Sequence, residues 1–356
     1  MFGISLFRKK KRLLGVDIGT FSTKVVELSY SKKGKVFLEN YGEKINETQK
    51  ETLYTSSRKK AFLLPHQEIA NNIRNVLNEA KIEKKEAVFS IPDFMTFFTV
   101  FKTPPMPKEE IASVVQFEAR QHIPLPLQEV TLDWSVIEEA NLDKKIGAKV
   151  LLVAVPNNVI SEYQKVAQLS GLKLSSIEAE VFSLARASVF GEDCNKVIQL
   201  IDIGVQSTTI SLVKENVIKA TYSIDFSESE IAKKLVDKLG ISYNEADEMR
   251  RKIGFVEDSN EGKVLCAQLD SLVEEIEQIS ENFFKTEKKE IDKIILAGGL
   301  SLSNGMKTRL EEKTKRKIEI VNPFVDFSYN PILKNSLREM GPRYAIAVGL
   351  ALRDKE

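Results

Sequence analysis

V-D-I-G-T-F-S-T at residues 16–23 returns as I-D-I-G-V-Q-S-T at residues 201–208. Asp17 matches Asp202, Gly19 matches Gly204, and Ser22-Thr23 match Ser207-Thr208. Each copy is an apolar strand that runs into a carboxylate, a glycine and two hydroxyls. Each then continues into further strand-like sequence, K-V-V-E-L at 24–28 and T-I-S-L-V at 209–213. The copies lie much farther apart than the ~20–50-residue period of solenoid arrays. The spacing therefore points to two related half-molecules, each presenting one polar hairpin turn. Two such turns facing each other would form a clamp.

A chain of 356 residues is too long for one simple core, and two or more domains are expected. With 42% hydrophobic and 29% charged residues the composition is that of a globular protein. Lys+Arg 52 against Asp+Glu 51 gives a net charge of +1, so no electrostatic footprint for nucleic acid is present. Cys194 and Cys266 lack metal-type spacing and are expected to be reduced, mostly buried thiols. His66 and His122 are far apart and beside prolines, which disfavours a histidine metal site or a Ser-His-Asp triad. No stretch approaches the ~20 apolar residues of a membrane span. The opening M-F-G-I-S-L-F-R-K-K-K-R carries its charges after its short apolar part, the reverse of a secretory signal. Arg8 to Arg12 is expected to be a solvated terminus, with weak attraction to an anionic membrane surface as the alternative.

The remaining sequence divides into legible elements. Leu14, Val16 and Ile18 form one face of a strand, and Lys24–Tyr30 returns beside it. Pro65–Ala80 reads as a helix, with Ile69, Ile73 and Leu77 four apart. A strand at 87–91, a strand at 97–102, a helix entered at Pro107, and strands at 131–137 and 149–155 form a block read as an inserted unit over 86–156. Val159–Ser170 is helical and ends at Gly171. Ser227–Glu230 and Ser242–Glu245 both fit a capping box, with Gly240 and Gly254 as the corresponding stops. Leu265, Leu269, Leu272, Ile276, Ile279 and Phe283 mark a long amphipathic helix. D-K-I-I-L-A-G-G-L-S at 292–301 is a buried strand ending in paired glycines, and a charged helix follows from Ser303. In the last helix, read as 343–352, Ala345, Ala347, Gly349 and Ala351 allow close packing.

A nucleoside triphosphate needs backbone N–H donors, hydroxyls and a divalent ion held by carboxylates or their waters. Asp17 and Asp202 supply the carboxylates. Gly19 and Gly204 let the backbone approach phosphate oxygens, and Ser22, Thr23, Lys24, Ser207, Thr208 and Thr209 supply donors. The Walker A pattern and the dinucleotide fingerprint are both absent. V-D-I-G-T-F-S-T-K, I-D-I-G-V-Q-S-T-T and I-L-A-G-G-L-S-L-S-N-G-M resemble the two phosphate motifs and the adenosine motif of the actin, Hsp70 and sugar-kinase superfamily. E-A-E-V-F-S-L-A-R-A at 178–187 and Y-A-I-A-V-G-L-A-L at 344–352 look like its two connecting helices.

The resemblance implies an α/β fold of the actin-like, ribonuclease H-like duplicated type. It implies ATP and Mg2+ as ligands, with the metal held through water by Asp17 and Asp202. The phosphates would lie on Gly19, Thr20, Phe21, Ser22, Thr23 and Lys24 and on Gly204, Val205, Gln206, Ser207, Thr208 and Thr209. Gly298, Gly299 and Leu300 would face the nucleoside. E-A-D-E-M-R-R at 245–251 resembles the A-E-x-x-K element of bacterial actins, which brings Asp247 and Arg250 to the adenosine with Asp for Glu and Arg for Lys. An acid at the start of the first connecting helix orients the attacking water in related proteins; Glu180 matches best and Glu178 is the alternative.

The branch is decided by F-S-I-P-D-F…K-T-P-P-M-P-K-E-E-I…Q-F-E-A-R-Q-H-I-P-L-P-L-Q-E-V-T-L-D-W within 86–134. With the opening L-F-R-K-K-K-R-L-L-G-V-D-I-G-T-F-S-T-K-V-V-E-L, it closely resembles the PilM family of type IV pilus assembly proteins. The cell-division protein FtsA is a close relative with the same relocated subdomain. The sequence ends at Glu356 without the linker and amphipathic membrane helix of FtsA, which favours PilM.

On this resemblance the chain divides into subdomain 1A (1–85 and 157–196), the FtsA-type insert 1C (86–156), 2A (197–222 and 291–340), 2B (223–290) and a hinge helix (341–356). The resemblance implies a cytoplasmic protein, peripheral at the inner membrane, of a type IV pilus or related type II secretion machine. Its expected ligand is the N-terminal cytoplasmic peptide of PilN, in a groove between 1A and the insert. Contact with a motor ATPase and a PilC-type platform protein, and self-association, are further expectations, whereas nucleic acid is not a partner. ATP hydrolysis is expected to be slow or absent. A nucleotide-dependent filament protein, a small-molecule kinase of the same fold and an adaptor that binds no nucleotide are the rival readings.

Overall fold

The computed structural model describes residues 11–32, 34–46, 54 and 60–353. Of the basic segment Arg8–Arg12, residues 8–10 lie outside the described residues. The first half opens with β1 (Lys11–Ile18), β2 (Ser22–Tyr30) and β3 (Val36–Ile45), then α1 (His66–Glu79) and β4 (Glu86–Ile91). An inserted unit follows, with β5 (Phe97–Lys102), α2 (Ile111–His122), β6 (Val130–Glu138) and β7 (Lys149–Pro156). The half closes with α3 (Asn157–Ser170), β8 (Lys173–Ala179) and α4 (Glu180–Ser188). The second half runs β9 (Ile198–Ile203), β10 (Thr208–Lys214), β11 (Val217–Ile224), α5 (Glu228–Leu239), α6 (Tyr243–Ile253), α7 (Asn260–Glu287) and β12 (Lys293–Ala297). It ends with α8 (Met306–Thr314), β13 (Ile318–Ile320) and α9 (Lys334–Leu352).

The two large sheets are copies of one plan. The first has strand order β3-β2-β1-β4-β8 and the second β11-β10-β9-β12-β13. In each, three antiparallel strands are followed by two parallel ones on the far side of the first strand. Pairing is in register too: Asp17 lies opposite Lys24, and Asp202 opposite Thr209. The sequence echo is therefore an echo of structure.

Each half ends in a helix, α4 or α9, and these two pack together between the sheets. Val26 and Leu28 of the first sheet, Leu200 and Ile295 of the second, Leu184 of α4 and Val348 of α9 share one buried cluster. Burial of such side chains contributes ~1.5–3 kcal/mol each, and here it joins the two halves at their hinge. The small residues of α9 permit this. A Cβ on Gly349 would come within 1.8 Å of the Ser183 carbonyl oxygen, and one on Gly15 within 2.2 Å of that of Ala347. Outer layers complete the sandwich, with α1 and α3 on the first sheet and α5 to α8 on the second.

The insert has its own sheet, ordered β5-β7-β6, and its own core around Ile111, Val115, Ala119 and Leu152. β4, read from sequence as its first strand, instead pairs with β1 and β8 in the first large sheet. A buried strand with partners on both sides has the same apolar run as an insert strand, so periodicity alone does not separate them. The insert also touches the second half. The ammonium of Lys219 donates to the Ile137 carbonyl at 3.0 Å, and Lys149 pairs with Glu287 at 2.6 Å.

Three further differences from the sequence reading have local causes. α9, read from sequence as 343–352, begins at Lys334 and carries Pro342 inside it. Ser242 forms a full capping box with Glu245, but Ser227 only accepts the Glu230 N–H and pairs its hydroxyl with Ser229. Cys266 is buried as expected, whereas Cys194 is exposed.

Candidate nucleotide site

The two echoed turns face each other across a cleft of about 620 Å³. In each turn the glycine N–H donates to a serine carbonyl at 3.0 Å, Gly19 to Ser22 and Gly204 to Ser207. Thr20-Phe21 and Val205-Gln206 thus project at the two tips. The tips meet: Gln206 donates to the Thr20 hydroxyl at 2.6 Å, and the Arg251 guanidinium lies 5.9 Å from the Phe21 ring centre.

β12 supplies the third wall. Gly298 has φ +81, and a Cβ there would sit 2.3 Å from the Ile203 carbonyl oxygen and 2.9 Å from Oδ1 of Asp202. Only glycine lets the chain pass this close to the end of β9 in this conformation. Gly299 also lines the cleft.

Three carboxylates, Asp17, Glu180 and Asp202, line the floor, and Asp93 is buried behind them. Asp17 is buried, accepts the Ser90 hydroxyl at 2.9 Å and pairs with Lys24 at 3.4 Å. The Asp202 carboxyl is pushed up to about 7 by burial and by the negative Asp93 and Asp17, with Lys24 opposing. Asp93 is pushed up to about 6 by burial, against hydrogen bonds from Val181 and Thr209. Glu180 is raised well above the usual carboxylate range by burial and then by Asp93, Asp17 and Asp202. Like charges at close quarters oppose ionisation, and a divalent cation would relieve that repulsion. Among the described residues no three donors are close enough to hold a metal directly. Carboxylate oxygens are the ligand type of hard divalent cations.

Most residues expected at the site line this cleft: Asp17, Gly19, Thr20, Phe21, Ser22 and Lys24 from the first turn, and Asp202, Gly204, Val205, Gln206, Ser207 and Thr209 from the second. Glu180 lines it at the first residue of α4. Glu178 does not; its carboxylate accepts from Ser183 and Arg186, and Arg186 also donates to the Gly349 carbonyl. The structure thus separates the two acids by position.

Four expected contacts lie elsewhere. The Thr23 and Thr208 side chains are fully buried outside the cleft lining, because alternate residues of a strand face opposite ways. Leu300 is packed in the second-half core. Asp247 is fully buried behind Arg250, which it receives at 2.9 Å, and also accepts the Tyr54 hydroxyl at 3.2 Å. Arg250 itself lines the cleft and bonds Glu228 at 2.9 Å, so Asp247 buttresses the arginine. Sequence reasoning missed Asp93, Glu228, Arg251 and Arg343. Asp93 had a usable signal, a carboxylate just past the carboxyl end of a buried parallel strand.

Two copies of one five-stranded plan, hinged by paired helices and clasping a carboxylate-floored cleft, define an actin-like duplicated fold. Solved structures agree. A type IV pilus biogenesis PilM–PilN complex matches with TM-score 0.82 and 22% identity over 98% of this chain and 100% of that one. The ethanolamine utilization protein EutJ from Carboxydothermus hydrogenoformans gives 0.56 at 13% identity, covering 97% and 90%. MreB5 of Spiroplasma citri bound to AMPPNP gives 0.52 at 11% identity, covering 98% and 97%. Residues 15–355 match the family model for the type IV pilus assembly protein PilM, and the chain belongs to that family.

Proposed function

We propose that this protein is an ATP-binding adaptor of a type IV pilus machine that holds the N-terminal cytoplasmic segment of a PilN-type membrane protein. The observation that carries the reading is the cleft itself, with paired phosphate-type turns, Gly298 and the carboxylate floor in one cavity. Gly19–Lys24 and Gly204–Thr209 would hold the phosphates, and Gly298-Gly299 would admit the nucleoside, with Arg250 beside it. Asp17 and Asp202 would hold hydrated Mg2+, which when bound neutralises phosphate charge. Glu180 would orient water, with turnover slow or absent.

A second cavity of about 440 Å³ supports the peptide half of the reading. Its walls come from the insert (Ser135, Leu151), from α4 (Phe182, Ala185) and from β11 (Val217, Ile218). Apolar walls with a few polar groups suit an extended segment with alternating apolar side chains. A partner seated there would bridge the first half, the insert and the second half. Among the described residues no helix is long and apolar enough to cross a membrane. Attachment at the cytoplasmic face of the inner membrane would then come through PilN. The expected division into 1A, 1C, 2A and 2B is kept as part of this proposal.

The test is a titration of a PilN N-terminal peptide, with and without saturating Mg-ATP. Micromolar or tighter binding that changes with nucleotide supports the adaptor. Nucleotide-dependent pelleting without peptide binding would favour a filament protein instead.

A further inference from the structure

The duplication breaks at one connection. In the second half β11 reaches α5 through residues 225–227, whereas in the first half β3 reaches α1 through 46–65, of which 46, 54 and 60–65 are described. This longer connection seats residues of the first half on the second. Tyr54 is 7% exposed and shares the second-half core with Phe226, Leu235 and Ala246. Its ring centre lies 5.9 Å from that of Tyr243, the first residue of α6. Its hydroxyl donates at 3.2 Å to Oδ1 of Asp247, the oxygen that also receives Arg250 at 2.9 Å. Oδ2 of Asp247 pairs with Arg251 at 3.1 Å. One buried acid thus carries both arginines that line the cleft from α6, and the opposite half supplies it with a further donor. Burial, and then the carboxylates of Asp247 and Glu228, push the Tyr54 hydroxyl well above its ordinary range, so it stays protonated. Lys60, on the same connection, holds the second phosphate turn. Its N–H donates to Oε1 of Gln206, and Nε2 of Gln206 donates back to its carbonyl, both at 3.2 Å.

We propose that Tyr54 is a positioning residue that completes the arginine wall of the nucleotide cleft when the two halves are closed on each other. The proposal rests on the nucleotide reading above. Opening the cleft carries Tyr54 away with the first half. Asp247 then loses a hydrogen-bond donor in a buried place, which is costly for a charged acceptor. Arg250 and Arg251, which hang from Asp247, lose a fixed anchor at the same time. A nucleotide that uses these arginines therefore favours the closed arrangement, and closure in turn sharpens the site. The bonds of Gln206 to Lys60 and to the Thr20 hydroxyl act in the same direction at the tips of the turns.

The test is a double-mutant cycle on the full chain, read by calorimetric titration of Mg-ATP into the wild type, Tyr54→Phe, Arg250→Ala and the double variant. Tyr54→Phe keeps the ring in the second-half core and removes only the hydroxyl, so the variant is expected to fold and melt cooperatively. Its affinity for Mg-ATP should be at least about threefold weaker than that of the wild type. In the Arg250→Ala background the same change should cost less than about twofold, because the residue through which Tyr54 acts is gone. A merely structural role would give the same loss in both backgrounds, which overturns the proposal, as does wild-type affinity in Tyr54→Phe. If Arg250→Ala does not fold, Arg250→Lys, which keeps the charge without the planar fork, takes its place in the cycle. An undiminished effect of Tyr54→Phe there overturns the proposal equally. A wild type that binds no Mg-ATP refutes the nucleotide reading, and this role with it; a wild type that binds, with no coupling in the cycle, refutes this role alone.

Discussion

Asp202 and Asp93 are carboxylates whose ionisation the folded chain opposes, pushed up to about 7 and about 6. In the unfolded chain they ionise near ~3.9, so the folded state binds these protons more tightly. Their contribution to stability is fully present below about pH 4 and is lost as pH rises through 6 to 7. Denaturant unfolding of the ligand-free protein across this window should show that loss, and Asp202→Asn should flatten it. An unaltered slope in Asp202→Asn would contradict the charge assignment. Asp17 and Asp202 were legible in the sequence because duplication marks them twice. Asp93 occurs once, and its one signal, a place just past the carboxyl end of β4, was hidden because β4 was read as part of the insert. Thr23 and Thr208 mislead for the opposite reason: the repeat marks them, yet strand alternation turns them into the interior.

At the scale of elements, α4 and α9 decide how the halves meet. The small residues of α9 were readable from sequence; its first nine residues, which run through Pro342, were not read as helix. Gly349→Ala would force a Cβ against the Ser183 carbonyl, 1.8 Å away before relaxation. Overpacking of this kind costs at least ~1–3 kcal/mol. The expected result is a melting temperature several degrees lower and weaker Mg-ATP binding, since the shift separates Glu180 from the turns. A variant with wild-type melting and binding would mean that the two helices are not the rigid hinge described here. The same logic explains β4. Its own residues fit either the insert or the large sheet, and only its neighbours β1 and β8 assign it.

For the whole molecule, the repeat at 16–23 and 201–208 carried most of the architecture: two sheets of identical order, with the cleft where the repeats face one another. The contacts of the insert with the second half through Lys219 and Lys149 were not legible, because they join residues from distant segments. They place the insert across both halves, where a change in cleft angle would reach it. The central claim is that the echoed carboxylates and turns form one nucleotide clamp. Calorimetric titration of Mg-ATP into the wild type, Asp17→Ala and Asp202→Ala tests it most directly. The account predicts one equivalent bound by the wild type and affinity at least about tenfold weaker in each variant, a loss of about 1.4 kcal/mol or more. Folded variants that bind Mg-ATP as tightly as the wild type would contradict it.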